Sequence, residues 1–254
     1  MTLPFDILRN GRGERIDFAF SPAANGSADA AIPQEVAVLG HGVTSHKDRP
    51  WMIALGEALA AAGIASLRIS FAGNGASEGR FEEATLTKEV ADLGSVIDAL
   101  AGAGVRRVAY VGHSMGGAIG VLRASADPRI DCLVSLAGMV HVHAFMQRCY
   151  GHLQPGMLMN DKPECPWSQA LEEDARRIGS VTPQAARVTV PWLLVHGDAD
   201  ELVPFEDALD ARAAAGGRPD LVTLPGVDHR FTGAVPAMVD AVVPWLAQHL
   251  RRHT

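Results

Sequence analysis

Apolar residues fall along this chain in short bursts of two kinds. EVAVLG (35–40), IASLRISF (64–71), RRVAYVG (106–112), IDCLVSLAG (130–138), VPWLLVHG (190–197) and PDLVTLPG (219–226) are compact apolar runs bounded by glycine or polar residues. Such runs read as strands buried on both faces. Between them lie stretches with helical spacing. In residues 85–104, Leu86, Val90, Leu93, Ile97 and Leu100 share one face. Residues 50–62 begin at Pro50, suited to a first helical turn, and stop before Gly63. Residues 115–126, 205–216 and 235–252 read as further helices. At the start, 5–9 and 15–20 alternate around an NGRG turn and predict an antiparallel hairpin, and 21–34 predict a surface loop.

Strand and helix in alternation predict an α/β class fold: a mostly parallel central sheet with helices on both faces. One stretch breaks the rhythm. Residues 139–187 contain no evident strand and gather Pro, Met, His and aromatic residues. They predict a small helical cap inserted into a core formed by 1–138 and 188–254. No repeat or low-complexity tract interrupts this order.

Chemistry enters at Gly112-His113-Ser114-Met115-Gly116, a G-x-S-x-G sequence set between a strand and a helix. A turn that sharp strains the serine backbone and pushes its hydroxyl out above the sheet edge. Flanking glycines remove side chains that would clash. The N–H of Met115, at the helix start, then points where an oxyanion would form. Ser114 is therefore the candidate nucleophile. A serine hydroxyl needs a base, and ten histidines compete for the role. His113 should point away from the hydroxyl, because neighbours on a strand face opposite sides. His249 and His253 lie in the terminal helix or tail. The base needs an acid, and HGDADELVP offers Asp198 and Asp200.

GHSMGG, LGHGVTSHKD, HGDADELVP and GVDHRF together resemble the α/β-hydrolase superfamily over nearly the whole chain, in the order Ser, Asp, His. HGVTSHKD followed by FAGNGASEGRFEEATLTKEVADL is similar to bacterial cinnamoyl and feruloyl esterases and to serine aminopeptidase-like (S33-type) hydrolases. The resemblance implies the α/β-hydrolase fold, His229 as base, Asp200 as acid and the backbone N–H of Val43 as the second oxyanion donor. Asp198 would then shape its turn, and His41 would bond within its loop. The superfamily's usual D-x-R-G-x-G-x-S loop is here Ser70-Phe71-Ala72-Gly73-Asn74-Gly75-Ala76-Ser77, without the acidic and basic members. The implied activity is hydrolysis of small or aryl esters through an acyl-enzyme, with no cofactor. Thioesterase, amidase or aminopeptidase, and monoacylglycerol lipase share the same triad. A non-catalytic binding member of the superfamily is a further alternative.

Phe145, Met146 and Trp167 are the candidate substrate-binding residues, in a cap whose aromatic and Met residues suit either an apolar pocket or the cap's own core. His141, His143 and His152 lack the companions a metal site needs, so no metal is expected.

Composition narrows the partners. The chain has 254 residues, 48% hydrophobic and 20% charged, with a formal net charge of −7. This suits one large domain and argues against nucleic acid. No signal peptide or membrane span is evident, so a cytoplasmic protein acting on a small-molecule ester is expected, with a homodimer left open. Cys132 reads as buried. Cys149 and Cys165 read as free thiols that could pair under oxidising conditions.

Overall fold

The computed structural model describes residues 2–24 and 32–250, so part of the 21–34 loop and His253 lie outside the described residues. Among the described residues one eight-stranded sheet runs through the molecule. Its strands are β1 (Leu8–Arg9), β2 (Arg15–Ser21), β3 (Glu35–Gly40), β4 (Ala65–Ser70), β5 (Arg107–His113), β6 (Ile130–Leu136), β7 (Trp192–Gly197) and β8 (Asp220–Leu224). The spatial order is β1-β2-β4-β3-β5-β6-β7-β8. β2 is antiparallel to β1 and β4, and every other pairing is parallel. The hairpin expected from residue 5 is shorter than its alternation suggested: only Leu8 and Arg9 pair, with Ile16 and Arg15.

The central strands are apolar throughout because both faces are covered. Val36, Val38, Val108 and Tyr110 point into one core, with α2 (Leu86–Gly102) and α3 (Met115–Ala124). Ala37, Leu39, Ala109 and Val111 point into the other, with α1 (Pro50–Ala61) and α8 (Val235–Leu250). Each Val or Leu buried this way contributes about 1.5–3 kcal/mol. The helix ends follow the sequence cues. Thr85 caps α2 by accepting the Lys88 N–H at 3.2 Å. Gly63, at φ 78°, closes α1: its N–H bonds the Ala60 carbonyl and the Ile64 N–H bonds that of Leu59.

Between β6 and β7 lie α4 (Val142–Tyr150), α5 (Gln169–Ile178) and α6 (Thr182–Ala185), with one isolated bridge from Leu158 to Pro166. α7 (Phe205–Ala214) follows β7. The Ser70–Ser77 loop has no ion pair of its own. Serines hold it instead: the Ser77 hydroxyl donates to the Ser70 carbonyl at 2.7 Å, and Ser70 Oγ accepts the Lys47 N–H at 3.0 Å. All the loops that carry candidate chemistry leave the carboxyl ends of parallel strands, where open α/β sheets bind ligands.

Candidate active site

One residue, Ser114, separates β5 from α3, so the chain must reverse in a single step. It does so at φ 55°, ψ −119°, a conformation that costs a non-glycine residue about 1–3 kcal/mol. Backbone hydrogen bonds hold it there. Its N–H reaches the Leu136 carbonyl at 3.0 Å, and its carbonyl accepts the N–H groups of Gly117 at 2.9 Å and Met139 at 3.0 Å. The glycines are required by close approach. A Cβ on Gly112 would collide with the Gly116 carbonyl, and one on Gly116 would lie 2.7 Å from the His41 carbonyl oxygen.

The loops after β7 and β8 bring Asp200 and His229 together. His229 Nδ1 is 2.8 Å from Asp200 Oδ2, so Nδ1 carries the donated proton and Nε2 is left as an acceptor. Of the two aspartates, Asp198 is turned elsewhere and accepts the Gly226 N–H at 2.6 Å. Asp200 is fully enclosed. Its Oδ1 accepts the N–H groups of Leu202 at 2.9 Å and Val203 at 2.8 Å. His196 Nε2 lies 3.2 Å from Oδ2. Burial pushes this carboxyl up, but the hydrogen bonds from His196, His229 and Val203 outweigh it and hold it well below the usual carboxylate range.

His113 lines the same cavity as Ser114 and His229 and does something sequence reasoning missed. Its Nε2–H donates to the backbone carbonyl of His229 at 2.9 Å, and its ring lies 4.8 Å from that of His229. Burial, with His229 beside it, lowers its pKa to about 3. It thus braces the backbone of His229. Nothing local in the sequence told that the His229 ring would lie against it.

The loop after β3 runs alongside Ser114. A Cβ on Gly42 would come within 2.9 Å of the Ser114 Cβ, so Gly42 lets the Gly42–Val43 backbone approach. His41 is fixed within the loop: Nδ1–H donates to the Gly42 carbonyl at 2.8 Å and Nε2 accepts the Phe71 N–H at 3.0 Å. Burial brings its pKa down to about 4, and the positive charges of Lys162 and Arg49 add to this. Met115 is the first residue of α3, where helix geometry provides no intrahelical partner for the N–H.

Ser114, His229 and Val43 line one cavity of about 880 Å³. The segment between β6 and β7 forms part of its wall through Phe145, Arg148, Tyr150, Asn160 and Lys162. That segment is tied to the loops it faces. Asn160 Nδ2 donates to Thr44 Oγ1 at 2.9 Å, Lys162 Nζ to the Thr44 carbonyl at 2.5 Å, and Arg148 to the Leu202 carbonyl at 2.5 Å. Backbone strain gathers here as well. Thr44, Ser114, Asn160 and Phe231 all have φ between 53° and 55° and all line the cavity.

Among the three residues expected to bind substrate, the structure puts Phe145 on the cavity wall and withdraws Met146 and Trp167 from it. Met146 is 0% exposed and Trp167 1%, both in the same large core cluster as sheet residues such as Val36, Val38 and Tyr110. His141 pairs with Asp210 at 2.8 Å, and His141, His143 and His152 all lie off the cavity. Among the described residues no group of three or more His, Cys, Asp or Glu side chains is placed to hold a metal ion. Cys132, Cys149 and Cys165 are free thiols, and Cys149 lines the cavity. No described helix is long and apolar enough to cross a membrane.

A buried carboxylate bonded to a histidine, with that histidine and a serine on a strained elbow lining one cavity, is an arrangement that nucleophilic acyl transfer can use. Comparisons with known proteins agree in kind. A family model described as serine aminopeptidase, S33, matches residues 31–170, more than half of the chain. The monoacylglycerol lipase of Mycolicibacterium smegmatis is 27% identical over 254 residues, covering 86% of this chain and 90% of that protein. The structure of Est1E from Butyrivibrio proteoclasticus with ferulic acid bound superposes with a TM-score of 0.81 at 23% identity, covering 98% of this chain and 100% of that one. The esterase domain of a Rhodothermus marinus protein gives 0.75 at 20% identity, covering 98% of this chain and 100% of that one.

Proposed function

This chain belongs to the serine aminopeptidase (S33) family of α/β-hydrolases, and from that premise we propose that it hydrolyses carboxylic esters with Ser114 as nucleophile, His229 as base and Asp200 as acid. The observation that carries the reading is the 2.8 Å bond between Asp200 and His229 Nδ1, with His229 and Ser114 on the wall of one cavity. His229 Nε2 takes the hydroxyl proton as Ser114 Oγ attacks the ester carbonyl. Asp200, kept ionised, stabilises the imidazolium and fixes the tautomer. The backbone N–H groups of Val43 and Met115 receive the tetrahedral oxyanion. His229 then protonates the leaving alcohol, the acyl-Ser114 ester forms, and water repeats the sequence to release the acid. Residues 139–187 serve as a cap whose latches to Thr44 and Leu202 set the shape of the acyl and alcohol sites.

A cavity of about 880 Å³ accommodates small or aryl esters. Similarity to a monoacylglycerol lipase favours a second reading, in which the acyl part is a fatty chain. A panel of p-nitrophenyl esters of increasing chain length separates the two. The primary test is Ser114→Ala assayed with p-nitrophenyl butyrate: kcat should fall by at least about 10³-fold. Wild-type turnover in that variant overturns the assignment.

A further inference from the structure

The charges around the cavity do not match the charge of the chain. The protein as a whole carries a formal −7, yet Arg49, Arg148, Lys162 and Arg230 line the cavity against a single acidic side chain, Glu201. The four cations come from separate places: the residue before α1, the last turn of α4, the segment between α4 and α5, and the position next to His229. Among the described residues, none of the four has a carboxylate within 4.0 Å. Most other described arginines and lysines do.

Their hydrogen bonding leaves donors to spare. Lys162 uses Nζ on the Thr44 carbonyl and Arg148 uses one nitrogen on the Leu202 carbonyl, whereas an ammonium has three donors and a guanidinium five. Arg49 and Lys162 stand close enough to His41 for their charges to disfavour its protonation, and Arg49 does the same to His113, the neighbour of Ser114. A concave wall with unpaired cations concentrates anions and repels cations.

We propose that this site selects esters bearing a carboxylate away from the bond to be broken. The inference rests on the ester-hydrolase reading and adds the substrate's charge to it. The carboxylate can belong to the acyl part or to the alcohol, and two matched pairs distinguish these. Monomethyl adipate against methyl hexanoate places the charge on the acyl side. 6-Acetoxyhexanoate against hexyl acetate places it on the alcohol side. Within each pair the two esters differ only in whether the chain ends in carboxylate or methyl.

In one pair at least, kcat/KM for the anion should exceed that for the neutral ester by about tenfold at low salt. The ratio should shrink as salt is raised to about 0.5 M, where screening acts within a few ångströms. Arg49→Gln and the exposed Arg230→Gln should each move the ratio toward 1. The wild-type ratio and its salt dependence need no variant, so misfolding of a variant leaves the test intact. Ratios at or below 1 in both pairs overturn the inference. If the neutral esters are hydrolysed in a Ser114-dependent manner, the catalytic reading survives that result. Failure of the wild-type protein to hydrolyse any of the four esters, together with failure of a fluorophosphonate to label Ser114, overturns both.

Discussion

Asp200, in the loop after β7, and Glu89, in the first turn of α2, carry side chains almost wholly shut off from water, and their pKa values are pushed in opposite directions. Asp200 receives two backbone N–H groups on one oxygen and the His229 Nδ1–H on the other, with His196 Nε2, which bonds the Val203 carbonyl, 3.2 Å from that oxygen, and its pKa is held well below the usual range. Among the described residues Glu89 receives one side-chain bond, from Asn74 Nδ2 at 3.2 Å, and its Oε2 has no partner. Burial pushes its pKa well above the usual value, and the nearby Asp92 adds to that. Burial alone therefore does not set the direction of the shift; the donors aimed at the carboxylate do. Asp200, proposed as the acid that supports His229, is the one supplied with several donors. Glu89 instead helps join the Phe71–Ser77 loop to α2, next to Asp92, which accepts the Ala72 N–H at 2.9 Å and Asn10 Nδ2 at 2.8 Å.

The largest effect should come from removing the charge at Asp200. Asp200→Asn should lower kcat by about 10⁴-fold, since it leaves His229 without a counter-charge and permits the wrong tautomer. It should also cost about 2 kcal/mol of stability at pH 7 through lost donors' partners. The sign with pH follows from a carboxyl depressed in the fold: its contribution is present above the unfolded value near 3.9 and is lost as pH falls through the folded value. Urea melts should therefore show the variant's deficit narrowing below about pH 4. A deficit that stays constant down to pH 2 would break the comparison.

A smaller effect is expected at the brace. His113→Phe keeps the ring packing against Trp51 and Phe231 but removes the donor to the His229 carbonyl. kcat on a short-chain ester should fall by about 10-fold to 100-fold, the scale of a misplaced catalytic group. An unchanged kcat would show that Asp200 alone positions the base.

Glu89→Gln is the mildest. Here the folded state favours the protonated acid, so the wild type is fully stabilised below the unfolded value near 4.3 and loses that advantage as pH rises through the folded value. Gln mimics the protonated form. The variant's Tm relative to wild type should rise by about 2–4 °C between pH 5 and pH 8. A fall over that range would mean that Glu89 is ionised in the fold.

Ser114 was legible because its elbow is local: five consecutive residues carry the strand end, the strain and the clearance. The sheet was legible because strands buried on both faces leave unbroken apolar runs. Asp200 was less so, since Asp198 has the same chemistry two residues away, and only the resemblance favoured one over the other before geometry did. Met146 and Trp167 could not be told from Phe145, because Phe145 and Met146 share the buried face of α4 with Val142 and Tyr150, and Trp167 lies before α5; spacing marks burial without saying which side chain meets the cavity. The cations at 49, 148, 162 and 230 are scattered through the sequence, and only folding puts them on one wall.

The most direct test of the account is to treat the protein with a fluorophosphonate probe and map the adduct by peptide mass spectrometry. The account expects a single adduct on Ser114, absent in Ser114→Ala and much slower to form in Asp200→Asn. An unmodified Ser114 in protein that still hydrolyses esters would contradict it.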